Sequence, residues 1–247
     1  MKLNNGKISI VTAYFNRKKL FIRTLESIAR SKVKDFEFIV VDDCSNEDER
    51  VEDLVVDFPF LKMIRLEKKD KWYINPCVPF NIGIKEAKND IIVLQNPECI
   101  HVGDILSFVT NNLINNLYLS FAMYYLPKEF TENLELYPNL DFLSKYFPIN
   151  GWQNHPKYKP TYYHFCSAIT RSDMNRLGGF DERYAYGIAI DDCDFATRIM
   201  RAGIGMLVIS DVFVAHQYHE SVFNIPNYKK LFERNVKLYH KLNKEKK

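Results

Sequence analysis

The sequence predicts an α/β fold, with a mostly parallel central sheet flanked by helices. Two observations carry this. Over the first hundred residues, short runs rich in β-branched and aromatic residues alternate with stretches of helical periodicity. That is the pattern of βαβ units, whose helices cover a parallel sheet. The residues best equipped for chemistry also gather just after those runs. In such sheets ligands sit beyond the carboxyl ends of the strands.

Taken in order, "KISIVTA" (residues 7–13) and "FEFIVVDD" (36–43) read as the first two buried strands. Between them Phe21, Leu25 and Ile28 fall at i, i+4 and i+7, one apolar helical face. "KMIRL" (62–66) is the third strand. "VPFNIGIKEAKN" (78–89) is a helix with a proline near its start, where a missing N–H is tolerated. "DIIVLQ" (90–95) is the fourth strand. Residues 130–165 mix prolines, tyrosines and asparagines and are expected to form an irregular, substrate-contacting region. Regular structure returns with the strand "FCSAITR" (165–171), the loop "GGFDERYAYG" (178–187) and the helix "DDCDFATRIMRAG" (191–203), stopped by Gly203. A short strand, "GMLVIS" (205–210), and then "VFVAHQYHE" (212–220) follow.

Composition excludes several classes. A hydrophobic content of 47% and a charged content of 26% are those of an ordinary globular chain. A net charge of +3 is too small to argue for nucleic acid. Five scattered cysteines (Cys44, Cys77, Cys99, Cys166, Cys193), never in a C-x-x-C pair, speak against a disulfide framework or a zinc site and for a reducing compartment. With no apolar signal core and no stretch of membrane-spanning length, a cytoplasmic location is expected. The absence of G-x-G-x-x-G and G-x-x-x-x-G-K-[ST] weakens dinucleotide and P-loop readings. From residue 229 onward eight Lys or Arg face two Glu. This basic end offers a peripheral contact with an anionic membrane, against the plainer reading of a solvated helix.

"SIVTAYFNRKKLFIRTLESI" followed by "FEFIVVDDCSNED" resembles the nucleotide-binding half of inverting glycosyltransferases of the family-2 type, which have the GT-A fold. "GGFDERYAYGIAIDDCDFATRIMRAG" is similar to the acceptor-side motif of the same group, and the two together span roughly residues 7–220. The resemblance implies one GT-A domain over residues 1–225, with a nucleotide-sugar half (1–100) and an acceptor half (101–225), followed by a basic helix or tail at 226–247. It implies transfer of a sugar, as in hexosyltransferases, from a nucleotide-sugar donor (a UDP-sugar for preference) to a hydroxyl of a glycan or glycoconjugate. Thr12, Ala13 and Tyr14 would border the base and ribose, with Asn16 and Arg17 in the same loop. Asp43 would accept a hydrogen bond from the base, and Asn81 and Gly83 would pack beside the diphosphate. Asp192 would be the catalytic base beside Asp191, and His216 would approach the metal or the diphosphate.

The departure is "QNPE" at residues 95–98, where the family usually has Asp-x-Asp holding Mn²⁺ or Mg²⁺. Hard cations prefer charged oxygen ligands, and only Glu98 is charged here. Two accounts stay open. Glu98, with Asp194 or His216, holds a weak divalent ion; or cations take over, from among Lys68, Lys69, Lys71, Arg171, His216 and His219. Gln95 and Asn96 keep hydrogen-bond donors for sugar or phosphate. Trp152 and His164, in the aromatic stretch, are candidate acceptor or sugar contacts, as is Asp194. One of Asp191, Asp192 and Asp194 is expected to cap the helix that they open, and one to be catalytic. A binding-only protein of the same fold and a sugar nucleotidyltransferase are the alternatives.

Overall fold

The computed structural model describes residues 6–136, 140, 149–220 and 226–244. The proposed boundary at residue 225, positions 141–148 of the irregular stretch and the lysines at 246 and 247 lie outside the described residues. Strands β1 (Ile8–Tyr14), β2 (Phe36–Asp42), β3 (Leu61–Arg65) and β4 (Ile91–Gln95) alternate with helices α1 (Lys18–Ala29) and α2 (Cys77–Glu86), as the sequence predicts. They form one parallel block in the order β3-β2-β1-β4.

The sheet continues without a break past β4. Strand β8 (Cys166–Thr170) pairs antiparallel with β4 and with β6 (Leu117–Tyr125). Strand β9 (Gly205–His216) runs parallel to β6, and β5 (Cys99–Val102) closes the far edge against β9. A ninth strand, β7 (Trp152–Asn154), pairs with β6 off this path and follows a short helix, α4 (Lys128–Glu132). Strand directions therefore bring the ends of β1, β2, β4 and β9 and the start of β8 to the same edge.

The pleat sends alternate side chains to two cores. Ile8, Ile10 and Tyr14 meet Phe21, Leu25 and Ile28 of α1 on one face, joined by Ile105, Leu106 and Val109 of α3 (Ile105–Asn112). Val11, Ile39 and Val41 meet Val78, Phe80 and Ile84 of α2 on the other. That face also carries Met174 of α5 (Arg171–Leu177) and Phe195 and Ile199 of α6 (Asp191–Arg201). Gly83 permits the close approach of α2, because a Cβ there would lie 2.4 Å from Val11 Cγ1. It packs the helix on the sheet and is not part of the cleft lining described below.

Three features differ from expectation. Strand β9 is one strand where two segments were expected. Ile209 pairs with Phe121 and Phe213 with the next residue, Ala122, so residues 210–212 bulge out between two paired stretches. β5, α3 and β6 were not anticipated. Trp152 is not an exposed sugar contact: at 5% exposure it packs among Tyr124, His155 and Phe213.

Candidate active site

A cleft of about 270 Å³ opens at the shared strand edge. Its walls are Ala13 and Arg17 after β1, Asn96, Pro97 and Glu98 after β4, Tyr163, His164 and Phe165 before β8, and Asp191 and Asp192 at the start of α6. The loop of the first strand and the acidic residues, 174 positions apart in sequence (17 against 191), thus face one common space.

The β1 and β2 loops are tied to each other. Asn16, at φ 47° in the left-handed region where Asn is tolerated, donates its backbone N–H to Ser45 Oγ (3.0 Å), and its side-chain oxygen accepts from Asn46 N (2.8 Å). Tyr14 does not line the cleft. It is buried, donates to the Glu49 carbonyl (2.6 Å) and accepts from Arg17 N (3.1 Å). Thr12 shares that inward face and is also buried. The residue that faces out is Phe15, which the sequence reading passed over. Lys71 Nζ lies 5.3 Å from its ring centre, and the same amine is 2.7 Å from Asp43 Oδ2. Tyr73 donates its hydroxyl to Asp43 Oδ1 (2.6 Å).

Glu98 is buried at the centre of a four-residue cluster. Arg17 Nη1 is 2.8 Å from Oε2, while His216 Nε2 and His219 Nε2 are 3.1 and 3.6 Å from Oε1. Burial alone would push the Glu98 carboxyl up. The Arg17 charge and the histidine contacts outweigh it and hold the group well below the usual carboxylate range. His216 Nδ1 is 3.0 Å from the Gln217 carbonyl, and His219 Nδ1 is 2.8 Å from the Glu220 carbonyl. A carbonyl only accepts, so His216 Nδ1 carries the hydrogen; His219 Nδ1 stands between the Glu220 carbonyl and the donor Arg17 Nη2 (3.4 Å), and each Nε2 turns toward Glu98. These three ligand atoms lie within 4.8 Å of one another. Around an ion bound at about 2.1 Å, neighbouring ligand atoms sit roughly 3.0–3.4 Å apart, close to the two carboxylate-to-imidazole separations of 3.1 and 3.6 Å. The residues therefore fit a divalent ion, with two imidazoles and one carboxylate in place of paired aspartates. His219, expected only as a cation candidate, completes the set.

Asp191 and Asp192 follow Ala189 and Ile190, both left-handed at φ 56° and 70°. A β-branched residue rarely adopts this conformation, and such strain gathers at functional sites. Its anchors are specific. Asn75 Nδ2 donates to Asp191 Oδ1 (2.8 Å), and Asn235 Nδ2 donates to the carbonyls of Ala189 (2.9 Å) and Tyr184 (3.1 Å). Asn235 is the buried residue of α7 (Tyr228–Lys244), so the basic C-terminal segment is a helix clamped onto the acidic loop and not a free tail. Burial pushes the Asp191 carboxyl up. Burial, and then the Asp191 charge, push Asp192 up to about 7. Neither aspartate caps α6 from the N-cap position, which is Ile190.

Several anticipated ligand contacts are scaffold instead. Asp194 pairs with Arg198 Nε (2.7 Å) and accepts from Tyr184 (3.3 Å), away from the cleft lining. Both ends of the Asn81 amide are spent on the Gly-Gly-Phe-Asp loop: Nδ2 donates to Phe180 O and Oδ1 accepts from Phe180 N. Gln95 turns inward, donating to the Asn96 and Cys99 carbonyls. Arg171 donates to the Asn89 carbonyl. None of the candidate diphosphate cations from the sequence (Lys68, Lys69, Lys71, Arg171, His216 and His219) lines the cleft; Arg17, expected only as a residue of the donor loop, does. His164 is brought to the cleft wall. Burial lowers its ring to about 4, so it is neutral, and its buried Nδ1 has no partner.

The family model described as glycosyl transferase family 2 matches residues 9–178, more than half of the sequence. The chain belongs to glycosyl transferase family 2. Solved structures agree on the fold. S. aureus TarS is 16% identical at a TM-score of 0.59, covering 86% of this chain and 37% of that one. TarS 1-349 in complex with UDP-GlcNAc is 15% identical at 0.61, covering 91% and 64%. Mannosyltransferase PcManGT from Pyrobaculum calidifontis, in complex with GDP-Man and Mn²⁺, is 15% identical at 0.59, covering 90% and 59%. The chain therefore spans between about a third and two thirds of these proteins. No curated protein matches it. Family and fold together make this a family-2 chain with a GT-A-type fold. Among the described residues no helix is long and apolar enough to cross a membrane.

Proposed function

We propose that this family-2 chain transfers a sugar from a UDP-sugar to a hydroxyl of a glycan or glycoconjugate, with inversion, within a single cytoplasmic domain. One observation supports the reading: Asp191 and Asp192 share a cleft with Arg17 and Glu98, and His216 and His219 stand against Glu98. Asp192 takes the proton from the acceptor hydroxyl. The acceptor oxygen forms the new bond to the anomeric carbon from the face opposite the leaving group, and the bond to the diphosphate oxygen breaks with its electron pair. A base titrating near 7 suits this step at neutral pH.

On the donor side, Arg17 offers a guanidinium fork to phosphate oxygens. A divalent ion held by Glu98, His216 and His219 would supply further positive charge to the leaving diphosphate. Lys71 Nζ and the Asp43 carboxylate stand side by side as donor and acceptor. That pair matches the adjacent C=O and N–H of uracil and also of guanine. It mismatches cytosine and adenine, which place an amino donor there. The exposed Phe15 ring offers a stacking face beside it. His164, with its unpartnered Nδ1, remains the candidate sugar contact.

A thermal-shift panel of UDP, GDP, CDP and ADP with and without Mn²⁺ tests this reading. Stabilisation by UDP, strengthened by Mn²⁺, is expected; a chain indifferent to all four nucleotides would remove it. Release of UDP from a UDP-sugar separates an enzyme from a binding-only protein.

A further inference from the structure

Trp72 and Tyr186 are large aromatic residues left 50% and 54% exposed, with ring centres 5.3 Å apart and planes tilted by 50°. They come from different halves of the chain: the segment between β3 and α2, and the loop that leads to Asp191. Main-chain hydrogen bonds from Ile74 N (2.8 Å) and Asn75 N (3.2 Å) to the Ala185 carbonyl hold the two segments together. The Trp72 segment then runs directly into the cleft. Asn75 holds Asp191, and Pro76 lines the wall. Three extended residues span about 10 Å, so the aromatic pair is fixed within that distance of the residue that grips the acid pair.

Both rings are braced from behind. Tyr73 meets Trp72 edge-on at 5.7 Å while its hydroxyl is tied to Asp43, and the Arg234 guanidinium stands 5.4 Å from the Tyr186 ring. Rigid bracing lowers the ordering cost of binding. An exposed aromatic patch beside a cleft marks an interaction site. The flat rings complement the C–H face of a sugar, whose hydroxyls stay in water, while tyrosine hydroxyl and indole N–H give polar edges. A lipid tail would instead call for an enclosed aliphatic groove.

We propose that the Trp72–Tyr186 pair is a subsite for a sugar ring of an extended carbohydrate acceptor, one or more residues away from the hydroxyl being glycosylated. The proposal rests on the reading of Asp192 as the acceptor base, and it makes the acceptor an oligosaccharide and not a single sugar. The chain has two tryptophans, and Trp152 is buried, so in a Trp152→Phe background the emission reports Trp72 alone. Chitohexaose, maltohexaose, cellohexaose and mannohexaose, each beside its monosaccharide, are titrated at up to millimolar concentration, with UDP affinity measured on the same samples. At least one hexasaccharide should shift Trp72 emission and bind about tenfold more tightly than its monosaccharide. With binding read by calorimetry, Trp72→Ala and Tyr186→Ala should each abolish that difference and leave UDP affinity unchanged. Absence of binding by all four hexasaccharides, retention of the tenfold preference in both variants, or loss of UDP affinity together with it would overturn the subsite. A wild-type chain that binds a hexasaccharide but no UDP would instead overturn the donor reading, with the subsite intact.

Discussion

The two walls of the cleft use the same functional group in opposite ways. On the donor side the carboxylates already have cations: Glu98, at the cleft, holds Arg17, and Asp43, beyond the cleft lining, holds Lys71. On the acceptor wall no cation among the described residues pairs with either aspartate: Asp191 receives the neutral amide of Asn75, and Asp192 the backbone N–H of Cys193. Glu98 is therefore held ionised and Asp192 is pushed up to about 7. In the proposed function one wall receives a negative diphosphate and the other a proton. The lesson is that the ion pairing of each acid, more than its identity, assigns its role.

The largest expected effect comes from breaking the acceptor wall. Asp192→Asn keeps the shape and removes the base, and transfer should fall by about 10²–10⁴-fold. UDP affinity should be unchanged, because the donor wall is untouched; turnover near the wild-type level would show that another group takes the proton. The corresponding change on the donor wall is smaller and of another kind. Arg17→Ala removes a charge-assisted contact worth about 1.5–3 kcal/mol, so calorimetry should show UDP weakened by roughly 10–100-fold and uridine unaffected. Equal losses for both would mean that Arg17 supports the fold of the loop and not the diphosphate.

A pH profile sharpens the contrast further. Asp192 works only when ionised, so kcat should fall as pH drops through about 7. Asp191→Asn removes the neighbouring negative charge that helps to raise Asp192. The acid limb should then move to lower pH by up to about one unit, with a lower ceiling because the Asn75 contact is altered. An acid limb that stays in place would mean that burial alone sets the Asp192 titration.

How much of this asymmetry the sequence displayed depended on distance along the chain. The first four strands were legible because each is a short β-branched run with its functional loop next to it. β6, "LYLSFAMYY", buries both faces and so shows no alternation, and its neighbours β5 and α3 are short. The identity of the site was legible in Asp43, Arg17, Glu98 and the acid pair, but side-chain direction was not. Tyr14 points to the core and Phe15 outward, which the two-residue repeat of a strand starting at Ile8 could have indicated. The partnerships that set the charges were invisible, because Arg17 and Glu98 stand 81 positions apart and Lys71 reaches Asp43 across 28. Trp152 misled because an aromatic residue in an irregular stretch reads the same whether it packs inward or outward.

The smallest effect expected is on stability, and its sign differs between the walls. The Asp192 carboxyl is raised in the fold, so its contribution is fully present below the unfolded value near 3.8 and is lost as pH rises through about 7. At alkaline pH the ionised group is a burden. Asp192→Asn should then raise Tm at about pH 8 by roughly 2–6 °C, a gain that fades by about pH 4; the range is kept modest because the cleft admits water. Glu98 is depressed, so its contribution is present above its unfolded value and lost as pH falls through its folded one. Glu98→Gln leaves Arg17 facing a neutral amide and should lower Tm at about pH 8, the deficit shrinking only under strongly acidic conditions. Scanning calorimetry of the two variants across this range reads both signs at once. Shifts of the same sign at about pH 8 would mean that the two walls are electrostatically alike, and the division of labour between them would have to be abandoned.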